Sequence, residues 1–174
     1  MSFSILKWVC PPPETFDDPP PGDAKVEWFR CLPYVVIHLA ALLAFLYPIS
    51  FACILIAILS YAVRMFSITA FYHRYFSHRT FKTSRLVQFL GAFVGCSSGQ
   101  RGPLWWAAHH RRHHRHSDTE EDDHSPHTKS FLWSHTLWFM TDYAVPTFMK
   151  EVRDLAKFRE LLFLNRFDWI PVVV

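Results

Sequence analysis

His73 and His78 stand five apart in FYHRYFSHR, and farther along the run HHRRHHRH, residues 109–116, places His110, His113 and His114 in an HxxHH pattern. Neutral imidazole binds iron, copper, nickel and zinc alike, so the ligand type does not by itself choose the metal. Ligand number says more. A structural zinc takes about four ligands, usually with thiolates among them, and a catalytic zinc takes about three. Five imidazoles exceed the needs of one tetrahedral ion and suit part of a two-metal centre. Oxidation of an inert C–H bond also needs a metal with an accessible second oxidation state, which zinc lacks.

Other reactive residue types carry weaker signals. Cys10, Cys31, Cys53 and Cys96 are scattered without a CxxC pair, which argues against a disulfide framework or a zinc ribbon. The acidic run at residues 118–123 lacks the alternating oxygen spacing of a calcium loop and reads as a solvated loop. His116, His124, His127 and His135 lie outside both patterns and read as surface or packing histidines, with His124 a candidate for a hydrogen bond that supports the site. His38 reads as a hydrogen-bonded neutral ring within an apolar segment. Arg64 either snorkels toward headgroups or helps order the polar site.

Positioning these groups falls to a long apolar block. Residues 32–48 read LPYVVIHLAALLAFLYP and residues 49–71 read ISFACILIAILSYAVRMFSITAF. A bilayer core of about 30 Å takes roughly 20 helical residues, so the block predicts two spans joined near Tyr47, Pro48 and Ser50. The ends of such a hairpin face one side. Arg74, Arg79, Lys82, Arg85, Arg101, Arg111, Arg112 and Arg115 follow it closely, which marks that side as cytoplasmic. Residues 86–98 are apolar but too short to cross, so both histidine groups stay on that side. Residues 1–31, with a proline-rich tract at 11–22, form an extended cytoplasmic tail in this reading. A net charge of +3 is small for a nucleic-acid binder, and none is expected as a partner.

From about Leu32 onward the chain resembles the integral-membrane fatty acid (acyl-CoA) desaturases, in particular their bacterial and plant-like branch. HRYFSHRTFKTSR at residues 73–85 resembles the family's first histidine box, and GPLWWAAHHRRHHRHSD at 102–118 resembles the second. DDHSPHTKSFLWSHTLW at 122–138 is similar to the loop and aromatic segment after that box, and LNRFDWIP at 164–171 is similar to the approach to a third span. The resemblance implies an all-α membrane protein: a helical hairpin followed by interfacial helices that carry the boxes, with residues 32–174 a partial desaturase domain. It makes His73, His78, His110, His113 and His114 ligands of two iron ions, and Gln100 and Trp106 residues of an acyl tunnel. His109 is supernumerary. It stands where animal members have an acidic residue near the CoA portion, and Ala108 stands where they have an arginine, so the resemblance supports an acyl substrate more firmly than acyl-CoA.

The reaction implied is oxygen-dependent removal of two hydrogens from adjacent carbons of a saturated acyl chain, leaving a cis double bond and water. Two electrons would come from a cytochrome b-type haem protein or a ferredoxin. A third HxxHH box and a second hairpin complete the family pattern, and this chain reaches Val172, Val173 and Val174 without them. It is therefore expected to be a truncated copy that is inactive alone. A related membrane di-iron hydroxylase, a non-catalytic zinc- or nickel-binding membrane protein, and a site completed by two copies are the alternatives.

Overall fold

The computed structural model describes residues 25–122 and 124–174, so the proline-rich tract at 11–22 lies outside the described residues. Among the described residues the chain is helical, with no strand and one isolated bridge between Val26 and Thr141. Helix α1 (Trp28–Leu42) starts ahead of the predicted span and runs into a 3-10 turn at Leu43–Leu46. Its start is tied down by backbone bonds from Glu27 N–H to the Met140 carbonyl and from Asp142 N–H to the Lys25 carbonyl, both 3.0 Å. The chain breaks near Tyr47 and Pro48, as expected. Ser50 then caps α2 (Phe51–Phe66) by accepting the Cys53 N–H.

The helix that carries the predicted second span, residues 49–71, continues beyond Phe71. Residues Ser67–Ser77 extend α2 as an eleven-residue π-helix, giving one 27-residue helix, Phe51–Ser77, that is long and apolar enough to cross a membrane. The apolar helix Cys31–Leu46 is shorter. No residue of α2 is buried, whereas Ser67, Ile68, Tyr72, Tyr75, Phe76 and Ser77 of the π segment are. Hydropathy does not register this change, since packing against later elements, not composition, takes over at Ser67.

Helix α3 (Arg85–Cys96) supplies the first of those elements and packs along the π segment. Two glycines allow it. A Cβ on Gly91 would stand 2.2 Å from the Phe71 ring, and one on Gly95 would stand 2.2 Å from the Tyr72 ring. With the backbones this close, the Ser67 hydroxyl donates to the Gly91 carbonyl (2.6 Å) and the Tyr75 hydroxyl donates to Gln88 Oε1 (2.9 Å). Helix α4 (Pro103–His116) begins with proline at its first turn, where no amide donor is lost. Asn165, on α5 (Arg159–Arg166), accepts the Trp105 N–H at 2.7 Å and so satisfies another donor of that turn. The core lies where the π segment, α3, α4 and α5 meet, around Tyr72, Phe76, Leu104, Val152, Leu155, Leu161 and Leu164.

Candidate metal centre

The π winding explains the five-residue histidine spacing. On an α-helix, residues five apart sit about 140° from each other, so HxxxxH would splay its rings. An i→i+5 winding stacks such residues instead. The His78 N–H bonds the His73 carbonyl at 3.2 Å, and the two side chains meet with Nε2 atoms 3.1 Å apart. The second group comes from α4. His110 and His114 lie about 40° apart around an α-helix, and their Nε2 atoms also stand 3.1 Å apart. Across the groups, His78 Nε2 lies 3.1 Å from His110 Nε2.

The arrangement holds through Arg111, whose guanidinium points away from the rings. It donates to the carbonyls of Phe76 (2.6 Å), Ser77 (3.0 Å) and Glu151 (2.6 Å) and to both oxygens of Asp154. The open carbonyls at the end of the π segment are thereby fastened to α4, and His78 follows directly. Burial biases the Asp154 carboxyl upward, but the Arg111 and Arg79 guanidiniums outweigh it and hold the group below the usual carboxylate range. Trp106 stacks on the His110 ring, centroids 4.7 Å apart, and its indole N–H donates to Gln100 Oε1 at 3.2 Å.

His73, His78, His110 and His114 thus turn four Nε2 atoms toward one another. Three contacts of 3.1 Å run along these four nitrogens, and neutral rings, with one proton or one lone pair at each Nε2, cannot make all three as full two-centre hydrogen bonds. A ring that donates through Nε2 has no lone pair there to accept with. A shared cation resolves every contact. Nitrogens about 2.1 Å from one ion would stand about 3.0 Å apart as octahedral neighbours and about 3.4 Å apart in a tetrahedron. The donor set therefore fits nitrogens that share one metal ion. Protons are poor occupants of the cluster: burial, then the neighbouring rings, push the His110 pKa down to about 3, and burial with the same neighbours lowers that of His78.

His113 lies at the edge of the face that carries His110 and His114. It is about 60° from His110 on the side opposite His114, and its Nδ1 lies 2.9 Å from Asp122 Oδ1. The structure groups it with Asp122 and His124, not with the other four histidines. Here the reading of residues 118–123 as a solvated loop needs correction. Asp118, Glu120 and Glu121 are exposed, but Asp122 is buried at 1% exposure, while Asp123 lies outside the described residues. Burial raises its carboxyl pKa, yet donors from His113, Asp118 and His124 outweigh that and leave it below the usual value. Sequence reading missed this carboxylate. The available signal was an acid two residues before His124, following the second box.

The remaining candidates take other roles. His109 is buried between Trp105, Trp138 and Phe148, with Nε2 3.3 Å from the Pro146 carbonyl, and burial first of all lowers its pKa to about 3. The His124 ring packs on His113 and Trp138. His116 pairs with Glu121, His135 stacks on Phe131, and His127 is exposed. His38 Nδ1 lies 2.7 Å from the Tyr34 carbonyl one turn earlier on its own helix, while Arg64 reaches Ser97 Oγ.

Residues 46–173 match the family model for fatty acid desaturases. Among curated proteins, the chain is 33% identical over 136 residues to an sn-1 stearoyl-lipid 9-desaturase of Anabaena variabilis, an alignment covering 75% of this chain and 50% of that protein. It is 35% identical over 124 residues to a Delta-9 acyl-lipid desaturase 1 of Arabidopsis thaliana, covering 70% and 39%. A hex-5-enoyl-[acyl-carrier protein] acetylenase of Moorena producens is 32% identical over 148 residues, covering 79% and 46%. The chain spans half or less of the length of these relatives.

Proposed function

Because the chain belongs to the fatty acid desaturase family, we propose that it supplies the first two histidine boxes of an oxygen-dependent acyl desaturase, with residues 32–174 forming part of the catalytic domain. Convergence of His73, His78, His110 and His114 at the end of the long apolar helix carries this reading. In it these four side chains hold one iron, and His113 contributes to a second. Iron held there would supply the redox chemistry by which dioxygen, with two electrons from an external donor and two protons, takes two hydrogens from adjacent chain carbons and leaves a cis double bond and two waters.

The chain's own residues bind and position. α1 and α2 form the membrane hairpin, and its wide apolar surface keeps the protein in the lipid that carries its substrate. The basic residues after Ser77 put the boxes on the cytoplasmic side and face an electron donor, a cytochrome b-type haem protein or a ferredoxin. Trp106 and Gln100 line the acyl path, with the indole held over His110 so that a bound chain lies against the metal ligands. The relatives' names as acyl-lipid desaturases favour an acyl lipid over acyl-CoA.

Five imidazoles do not fill two iron coordination spheres, so the 174-residue chain assayed alone is expected to bind metal without turnover. Anaerobic titration of the purified chain with ferrous ion tests the centre. Binding should weaken at least about 100-fold in His110→Ala. A chain that binds zinc but ignores ferrous ion would instead be a non-catalytic metal protein. Product analysis of lipids from cells expressing a complete desaturase that contains these residues separates a double bond from a hydroxyl group.

A further inference from the structure

Asp122 is the one carboxylate among the described residues that is almost fully buried, and two backbone N–H groups and two histidine rings surround its oxygens. Oδ1 accepts the His124 N–H at 3.3 Å, Oδ2 accepts the Asp118 N–H at 3.0 Å, and His113 Nδ1 lies 2.9 Å from Oδ1. The loop is wound to make this possible. Asp118 sits at φ 60, a left-handed conformation that is uncommon outside glycine, and its side chain accepts the hydroxyl of the fully buried Ser125 at 2.6 Å. The loop is thus wound around a single acid.

A carboxylate surrounded by donors fixes the tautomer of the ring it meets. His113 must carry its proton on Nδ1 to donate to Asp122, which leaves Nε2 as the ring's one lone pair. The His124 ring, 4.2 Å away centroid to centroid, packs on His113 and limits its rotation. We infer that Asp122 is a positioning residue that holds His113 in the Nδ1–H form, with Nε2 presented as a metal ligand. This rests on the metal centre proposed above and adds the acid that orients its fifth imidazole. Carboxylates placed behind ligating histidines commonly act this way, and removing them weakens metal binding about 10–100-fold.

The alternative is that Asp122, His113 and His124 hold an ion directly. The two readings demand opposite protonation: direct ligation needs a deprotonated His113 Nδ1, whereas positioning needs Nδ1–H.

The test uses the purified 174-residue chain in detergent micelles, labelled with ¹⁵N-histidine, with and without cobalt(II). His113→Ala identifies the His113 ring signals. Positioning predicts the Nδ1–H pattern for His113 in the metal-free chain, lost in Asp122→Asn because the amide must turn an NH₂ toward one of three donors. It also predicts cobalt affinity about 10–100-fold weaker in Asp122→Asn, with partial recovery of both readouts in Asp122→Glu. An unchanged tautomer and unchanged affinity in Asp122→Asn would overturn the inference, as would cobalt bound through His113 Nδ1. Failure of the unaltered chain to bind cobalt would instead defeat the metal-centre reading, and the tautomer measurement would still decide the role of Asp122.

Discussion

The helix Phe51–Ser77 is two materials in one rod. Its first sixteen residues bury nothing, and Phe51, Ile56 and Tyr61 are each more than half exposed. Its last eleven bury six side chains against α3 and α4 and carry His73. The front half interacts with its solvent, and in lipid that interaction is satisfied wherever the surface is apolar. The back half interacts with particular neighbours and depends on their shape. Tolerance to substitution should therefore change abruptly at Ser67 although the helix does not end there.

The sharpest test is Phe76→Ala. Removing this fully buried ring should cost about 3–5 kcal/mol, read as a shift in unfolding of the detergent-solubilised chain. Asp154→Ala comes next. It strips Arg111 of its carboxylate while leaving the three carbonyl contacts, and about 2 kcal/mol is expected. The same pair gives a pH signature. Because the Asp154 pKa is depressed in the fold, its contribution is present above the ordinary carboxylate pKa of about 3.9 and disappears as pH falls through the lower folded value.

His109 yields a smaller effect at milder pH. Its folded pKa of about 3 lies below its ordinary 6.5, so between those values the unfolded chain holds the extra proton and stability rises with pH. The slope from this group is at most about 1.4 kcal/mol per pH unit, and flat above the ordinary value. A pH series on His109→Phe should show a shallower slope than the unaltered chain. Last is Ile56→Ala on the exposed half, expected within about 0.5 kcal/mol. A loss there close to that of Phe76→Ala would break the contrast between the two halves, since Ile56 would then have a protein partner.

What could be read from the sequence follows the same division. The apolar block, its break near Pro48 and the histidines that converge were all legible, because hydropathy and ligand spacing are local patterns. The extension of the helix to Ser77 was not, since that stretch packs closely against Gly91 and Gly95, which lie well beyond it in the chain. Neither was the Arg111–Asp154 clamp, whose partners lie 43 residues apart. Asp122 was hidden differently: its neighbours in the acidic run are exposed, and only the reversal of the chain at Asp118 turns one carboxyl inward.

Compared with an α-helix, a π turn amounts to one surplus residue kept inside the coil. Deleting Tyr75 or an equivalent position between the first two histidines, with relaxation to ordinary winding, would bring the spacing to four, at which rings on an α-helix sit about 40° apart, as those of His110 and His114 do. The winding is thus the means by which a stretch one residue longer still brings its two imidazoles together.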